Sequence, residues 1–236
     1  MKTFLAFTLY VHIAAGFMAL VTGLVPMFAK KGGKAHVLWG KVYFWAMFVV
    51  ALTALLRFQM QMRLIFLAAI AIFSFYNTFT GVRLIQRKES VKPSWLDYFA
   101  SILAMICSLA MFYFAFLGYQ KGDRFLSILF LVFGMAVFTM SLEDLRVFMG
   151  KKVIDDESKP VPIRYWFQNH ISRMGGSYIA TVTAFLVVNN PPYVSGFVAW
   201  IAPGVIGGII IGRVRSSYCK KHENVVKYST PNIHPQ

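Results

Sequence analysis

"GLVPMFAKKGGKAHVLWGKVYFWAM", Gly23 to Met47, leaves one apolar run, passes through a lysine-rich Gly-Gly turn and enters a second apolar run carrying His36, Gly40 and Tyr43 at its start. A helix of about 20 mostly apolar residues is long enough to cross a bilayer. Both flanks qualify, Phe4 to Phe28 before the turn and Val37 to Leu56 after it. The stretch therefore reads as a hairpin between two membrane spans, with histidine at the membrane edge.

Outward from that hairpin, five further segments meet the same criterion: Leu64 to Ile85, Trp95 to Gly118, Phe125 to Leu142, Tyr165 to Val188 and Val194 to Gly212. The chain of 236 residues is 58% hydrophobic and 17% aromatic, too apolar for polar surface to cover a soluble domain of this size. The expectation is an all-α, polytopic membrane protein with seven transmembrane helices. Residues 1–212 form one transmembrane domain, and 213–236 a basic, loosely ordered cytoplasmic tail. Lys2 before an apolar run is also how a signal peptide begins. This run is longer than a signal h-region and has no small-residue cleavage site before the lysines, so it reads as a retained span.

Alternate connections differ sharply in charge. One set carries eighteen Lys and Arg, among them Lys30, Lys31, Lys34, Arg83, Arg87, Lys88, Lys152, Lys159, Arg213 and Lys227; the other carries five. Cytoplasmic loops hold the excess, which puts the N-terminus outside and the C-terminus in the cytoplasm, in a bacterial cytoplasmic (inner) membrane. The net charge of +15 is then a consequence of topology, and its partner is the anionic bilayer surface. No basic recognition module accompanies it, so nucleic acid is not an expected partner. A membrane protein partner or a second copy of the chain remains an expected partner class. Cys107, in an apolar run, and Cys219, in the basic tail, imply neither a disulfide nor a cysteine metal site.

Ionisable residues inside the spans are few: His12, Lys41, Asp97, His170 and Arg173. Each is costly in hydrocarbon and marks a functional hypothesis by default. Lys41 and Asp97 lie near span ends, where a side chain snorkels to water. On the first helix Thr8, His12, Ala15, Ala19, Thr22 and Pro26 form a small or polar stripe at three- and four-residue steps, which faces protein. The sixth helix presents His170, Arg173, Ser177, Thr181 and Ala184 on one face, and the second presents His36, Gly40 and Tyr43. Three helices are expected to converge with histidine on their inner sides. At about 1.5 Å of rise per residue, His36 and His170 share one leaflet and His12 sits nearer the middle. Arg173 calls for an anion, supplied by Glu143, Asp144, Asp97 or a ligand carboxylate such as a haem propionate. Gly204, Gly208 and Gly212 make two small-xxx-small steps for close helix packing.

The arrangement His12, Gly16, Gly23, Lys31, Gly32, His36, Gly40 and Tyr43 resembles the N-terminal signature of a family of bacterial multi-pass membrane proteins known as a domain of unknown function. The resemblance is closest over the first 45 residues or so. Position 37 is valine where that family carries arginine. The resemblance implies a multi-helix fold with several histidines and supplies no substrate.

Three functions fit these residues. The first is a redox protein binding haem b through two histidines, with His12, His36, His170 and Arg173 as cofactor-binding candidates and His36 with His170 the better-matched ligand pair by depth. The second is a proton-coupled carrier in which the histidines bind substrate or relay protons, with Pro26 and Pro203-Gly204 as the candidate helix breaks. The third is a non-catalytic assembly or accessory subunit whose histidines are merely buried. A retinal protein is excluded because the seventh span lacks a lysine, and a zinc hydrolase because no His-Glu-x-x-His spacing occurs.

Overall fold

The computed structural model describes residues 2–87, 92–151, 164–190 and 192–229. Residues 88–91 and 152–163, with Lys88, Lys152, Lys159 and most of the long connection, lie outside the described residues, and no side chain is described beyond Lys220. The helices are α1 (Lys2–Phe28), α2 (Lys34–Leu56), α3 (Met62–Gln86), α4 (Trp95–Gln120), α5 (Arg124–Phe148), α6 (Tyr165–Val188) and α7 (Gly196–Ser229). All seven are long and apolar enough to cross a membrane.

Two boundaries differ from the sequence reading. α5 runs on past Leu142 to Phe148, because Asp144 turns inward and finds buried partners. α7 does not stop at Gly212: residues 213–229 continue it as helix, where a loosely ordered tail was expected. That segment contains neither Pro nor Gly, and it is tied to α6 by Arg215 Nε, which donates to Gln168 Oε1 at 2.9 Å, and by the Phe167 and Tyr218 rings 5.4 Å apart. Pro26 and Pro203 both lie inside their helices without ending them.

The turn of the opening stretch needs its glycine. Gly32 has φ 74°, a region that residues with a Cβ seldom enter, and Gly33 then leads into α2. At α4 the cap is reciprocal, with Ser94 and Asp97 each holding the other's backbone.

α3 is the hub, touching α2, α4, α5 and α6. On one side the α4–α5 hairpin and the start of α7 close an aromatic core around Phe66, whose ring lies 5.0 Å from those of both Phe130 and Trp200. On the other side α1, α2, α3 and α6 contact one another in sequence and close a ring, in which α2 and α6 face each other diagonally. The core of that ring is Ala19, Tyr43, Ala46 and Met47, with Phe75, Met174 and Tyr178 against them.

α7 packs on α6 through glycines other than those the spacing picked out. A Cβ on Gly207 would come within 2.4 Å of Ile179, and one on Gly175 within 2.6 Å of Ile211. Gly204, Gly208 and Gly212 have nothing within 4 Å of that position and face away from the chain. The helix seam runs one residue to the side of the small-xxx-small stripe.

Candidate functional site

α1 and α2 run antiparallel from the Gly32 turn, and this register decides where the histidines go. Pro26 lies opposite His36, His12 opposite Thr53, and Leu5 opposite Arg57. The last carbonyls of α1 have no partner within the helix. Lys31 Nζ donates to those of Pro26 at 2.8 Å and Met27 at 2.7 Å, and His36 Nδ1 lies 3.0 Å from the same Pro26 oxygen. Burial pushes the Lys31 ammonium below its ordinary pKa. The lysine and histidine of the opening stretch are therefore the C-terminal cap of α1.

His170, on α6, anchors in the same manner. Its Nδ1 is 2.8 Å from the carbonyl oxygen of Gly81 on α3. The approach depends on glycine, since a Cβ at Gly81 would fall 2.9 Å from Met174 Sδ and 3.2 Å from Arg173 Cβ. A carbonyl only accepts, so Nδ1 of both rings carries the hydrogen, and in the neutral form of each ring Nε2 presents a lone pair. The two ring centroids are 6.3 Å apart. His36 and His170 thus meet across the diagonal of the ring.

Beyond this pair the ring offers space and then a polar floor. One turn deeper on α2, a Cβ at Gly40 would have nothing within 4 Å, and one at Gly176 on α6 would find only Asn77 Oδ1, at 3.8 Å. Asn77 is fully buried; its Nδ2 donates to Phe73 O at 3.0 Å and its Oδ1 has no partner. The floor links three helices, with Tyr43 OH 2.8 Å from Ser177 Oγ and Ser177 Oγ 2.6 Å from Thr78 Oγ1. Thr78 in turn donates to Ser74 O at 3.0 Å, so each hydroxyl can give its single hydrogen to the next oxygen along.

Arg173, one turn from His170, is 3% exposed and belongs to another network. Its Nη2 donates to Asp144 Oδ1 at 2.9 Å, the Tyr76 hydroxyl donates to Asp144 Oδ2, and the guanidinium lies 5.5 Å from the Tyr76 ring centroid. The network links α6 to α5 across α3. Asp144 was among the partners expected for Arg173. The carboxylate that neutralises this guanidinium comes from the chain, while Nη1 of Arg173 is buried with no hydrogen-bond partner. Of the other two acidic candidates, Asp97 is held by Arg83 through both oxygens, at 2.8 and 2.7 Å, and Glu143 accepts from Tyr165 OH at 3.4 Å.

The convergence of three histidines is corrected to two. His12 Nδ1 is 2.8 Å from Thr53 Oγ1, and Thr53 lies 17 residues beyond His36 on α2, which is about 25 Å along the helix. The expected polar stripe on α1 does face protein, with Thr8, Ala19 and Thr22 all buried. The antiparallel hairpin nevertheless carries His12 to the end opposite the lysine-rich turn. Among the described residues no group of three or more His, Cys, Asp or Glu could hold a metal ion, so a centre on the histidine pair has two protein ligands. The backbone anchors at Pro26 and Gly81 and the Tyr76–Asp144 contact were not in the sequence reading; carbonyl partners leave no residue signature.

No protein-family model, curated protein or solved structure matches the chain.

Proposed function

We propose that this is a redox protein of the bacterial cytoplasmic membrane whose centre is one haem b between His36 and His170, with the lysine-rich end in the cytoplasm and the N-terminus outside. A single observation carries the reading: two imidazoles face each other in a helix ring, each with Nδ1–H fixed on a backbone carbonyl and Nε2 left as a lone pair. Ligating histidines are oriented by such contacts, and helix bundles build cofactor sites from facing helices. With metal–nitrogen bonds of about 2.0–2.1 Å, and the ring centre about 1.1 Å beyond the nitrogen, two imidazoles on one metal have centroids about 6.3 Å apart. The separation here is 6.3 Å. Open space beside Gly40 and Gly176 supports the fit of a flat group.

A haem bound there supplies a one-electron couple. The chain's part is to set both tautomers and to hold the two rings 6.3 Å apart, with 62° between their planes. The carrier reading has less support, since α1 and α7 run through Pro26 and Pro203 unbroken, whereas transporter sites favour discontinuous helices. The resemblance of the first 45 residues to an uncharacterised membrane family is compatible with this proposal and adds no chemistry to it.

The test is the visible spectrum of protein purified in mild detergent, oxidised and then reduced with dithionite. A Soret band with sharp reduced bands of a low-spin, bis-histidine haem, lost in His36→Ala and in His170→Ala, is the expected result. A colourless, metal-free protein overturns the reading and leaves the pair to helix capping in an accessory subunit.

A further inference from the structure

Arg87, the residue that closes α3, is oriented by its neighbours without being satisfied by them. Its side chain is 10% exposed, its guanidinium lies 4.6 Å from the centroid of the Phe148 ring on α5, and its Nε is buried with no hydrogen-bond partner among the described residues. A guanidinium stacked by its face keeps its N–H donors in the plane, free for another group. Phe148 therefore fixes the cation and leaves its edge unanswered.

The carboxylates nearby are engaged elsewhere. Asp97 Oδ1 is 4.0 Å from Arg87 Nε, beyond hydrogen-bond reach, and Asp97 already accepts from Arg83 Nε and Nη2 at 2.8 and 2.7 Å and from Ser94 N and Oγ at 2.8 and 3.0 Å. Asp144 accepts from Arg173 and Tyr76. Arg83 and Arg87 thus share one carboxylate, which leaves one positive charge in excess. A buried donor without an acceptor is costly, so the missing acceptor is one the chain does not supply.

The position of Arg87 indicates its kind. The third span ends at Gln86, so Arg87 stands at the limit of the hydrocarbon layer on the lysine-rich side, where headgroup phosphates begin. Lys92 and Lys151, both exposed, add positive charge at the same end. A phosphate offers the pair of oxygens that a guanidinium fork receives through two parallel bonds.

We infer that Arg87 is the centre of a phosphate-binding site among the ends of α3, α4 and α5, filled by the headgroup of an anionic phospholipid or by dissolved phosphate. The site lies on the α4–α5 side of α3, away from the histidine pair, and stands whether or not a haem binds there.

The experiment follows thermal unfolding of the detergent-solubilised protein against rising phosphatidylglycerol and, separately, inorganic phosphate. A saturable rise in melting temperature with phosphatidylglycerol alone identifies the lipid as the source, and one with inorganic phosphate identifies the dissolved ion. In either case Arg87→Gln weakens the binding by about tenfold or more. Lys41→Gln, which removes the same charge from an exposed position on α2, leaves it unchanged. Phe148→Leu, which keeps Arg87 but removes the ring beneath it, weakens binding by about two- to fivefold. The absence of a saturable shift in the unmodified protein would overturn the inference, and so would equal weakening by Arg87→Gln and Lys41→Gln, which is the mark of diffuse attraction. Where Arg87→Gln does not fold, Phe148→Leu decides, and an unchanged affinity there overturns the site.

Discussion

The aromatic core of α3, α4, α5 and α7 and the ring of α1, α2, α3 and α6 both contain buried hydroxyls, and different residue types carry theirs across helices. On α4 and α5, Ser108 donates to Met105 O and Ser141 to Phe138 O, back to their own helix, while Tyr76 reaches Ser101 on α4 and Asp144 on α5, and Tyr98 reaches Phe148 O. In the ring, Tyr43, Ser177 and Thr78 bond from helix to helix. Lipid is as apolar as leucine, so helices in a bilayer associate through packing and interhelical hydrogen bonds rather than through the hydrophobic effect. The aromatic side adds ring packing around Phe66 to the bonds of its tyrosines, and the ring of helices joins serine and threonine hydroxyls across α2, α3 and α6.

The largest effect is expected where the two regions are joined. Asp144→Ala leaves Arg173 buried without its carboxylate and should cost about 3–5 kcal/mol, read as a lowered midpoint in thermal unfolding in detergent. The double substitution Asp144→Leu with Arg173→Met should recover most of that loss, because neither charge then remains. If the single variant melts like the parent, the two halves are joined by something other than this pair.

Within the aromatic core, Phe66→Ala should cost about 3 kcal/mol, since it empties the space between Phe130 and Trp200. Sharper discrimination comes from α7. Gly207→Ala drives a methyl into Ile179 and should destabilise by about 1–3 kcal/mol, whereas Gly208→Ala, with nothing nearby, should leave the melting curve unchanged. Equal effects at the two positions would place the α6–α7 seam elsewhere. A smaller loss is expected in the ring floor: Ser177→Ala removes two interhelical bonds, to Tyr43 and Thr78, worth about 0.6 kcal/mol each by the membrane average. A loss as large as that of Phe66→Ala would mean that the floor carries as much of the stability as the aromatic core.

Helix number and placement were legible because span length is dictated by the bilayer, and all the helices but α5 and α7 start and finish within a few residues of the apolar limits. The inward faces of α1, α2 and α6 were legible from periodicity, and so was Asp144 as a partner for Arg173. The error over His12 was avoidable. A tight turn near Gly32 pairs residues whose numbers sum to 62–65, as His12 with Thr53 and Pro26 with His36 show, and that rule alone separates His12 from His36 by most of a membrane. The meeting of His36 with His170 was suggested only by depth, since no local pattern records that α2 and α6 lie diagonally. The continuation of α7 was missed because charge was taken as the end of order; a charged helix free of Pro and Gly needs only a neighbour to lean on.

That long helix has a mechanical consequence. At 34 residues it is about 51 Å long, while the hydrocarbon layer is about 30 Å thick. Its distal third is therefore an arm, held to the start of α6 through Gln168, two residues from His170. A tilt of 10° at that fulcrum would sweep the tip of a 20 Å arm by about 3–4 Å. Small adjustments beside the histidine pair would be magnified into displacements outside the membrane, where a spin label or a docking protein could sense them.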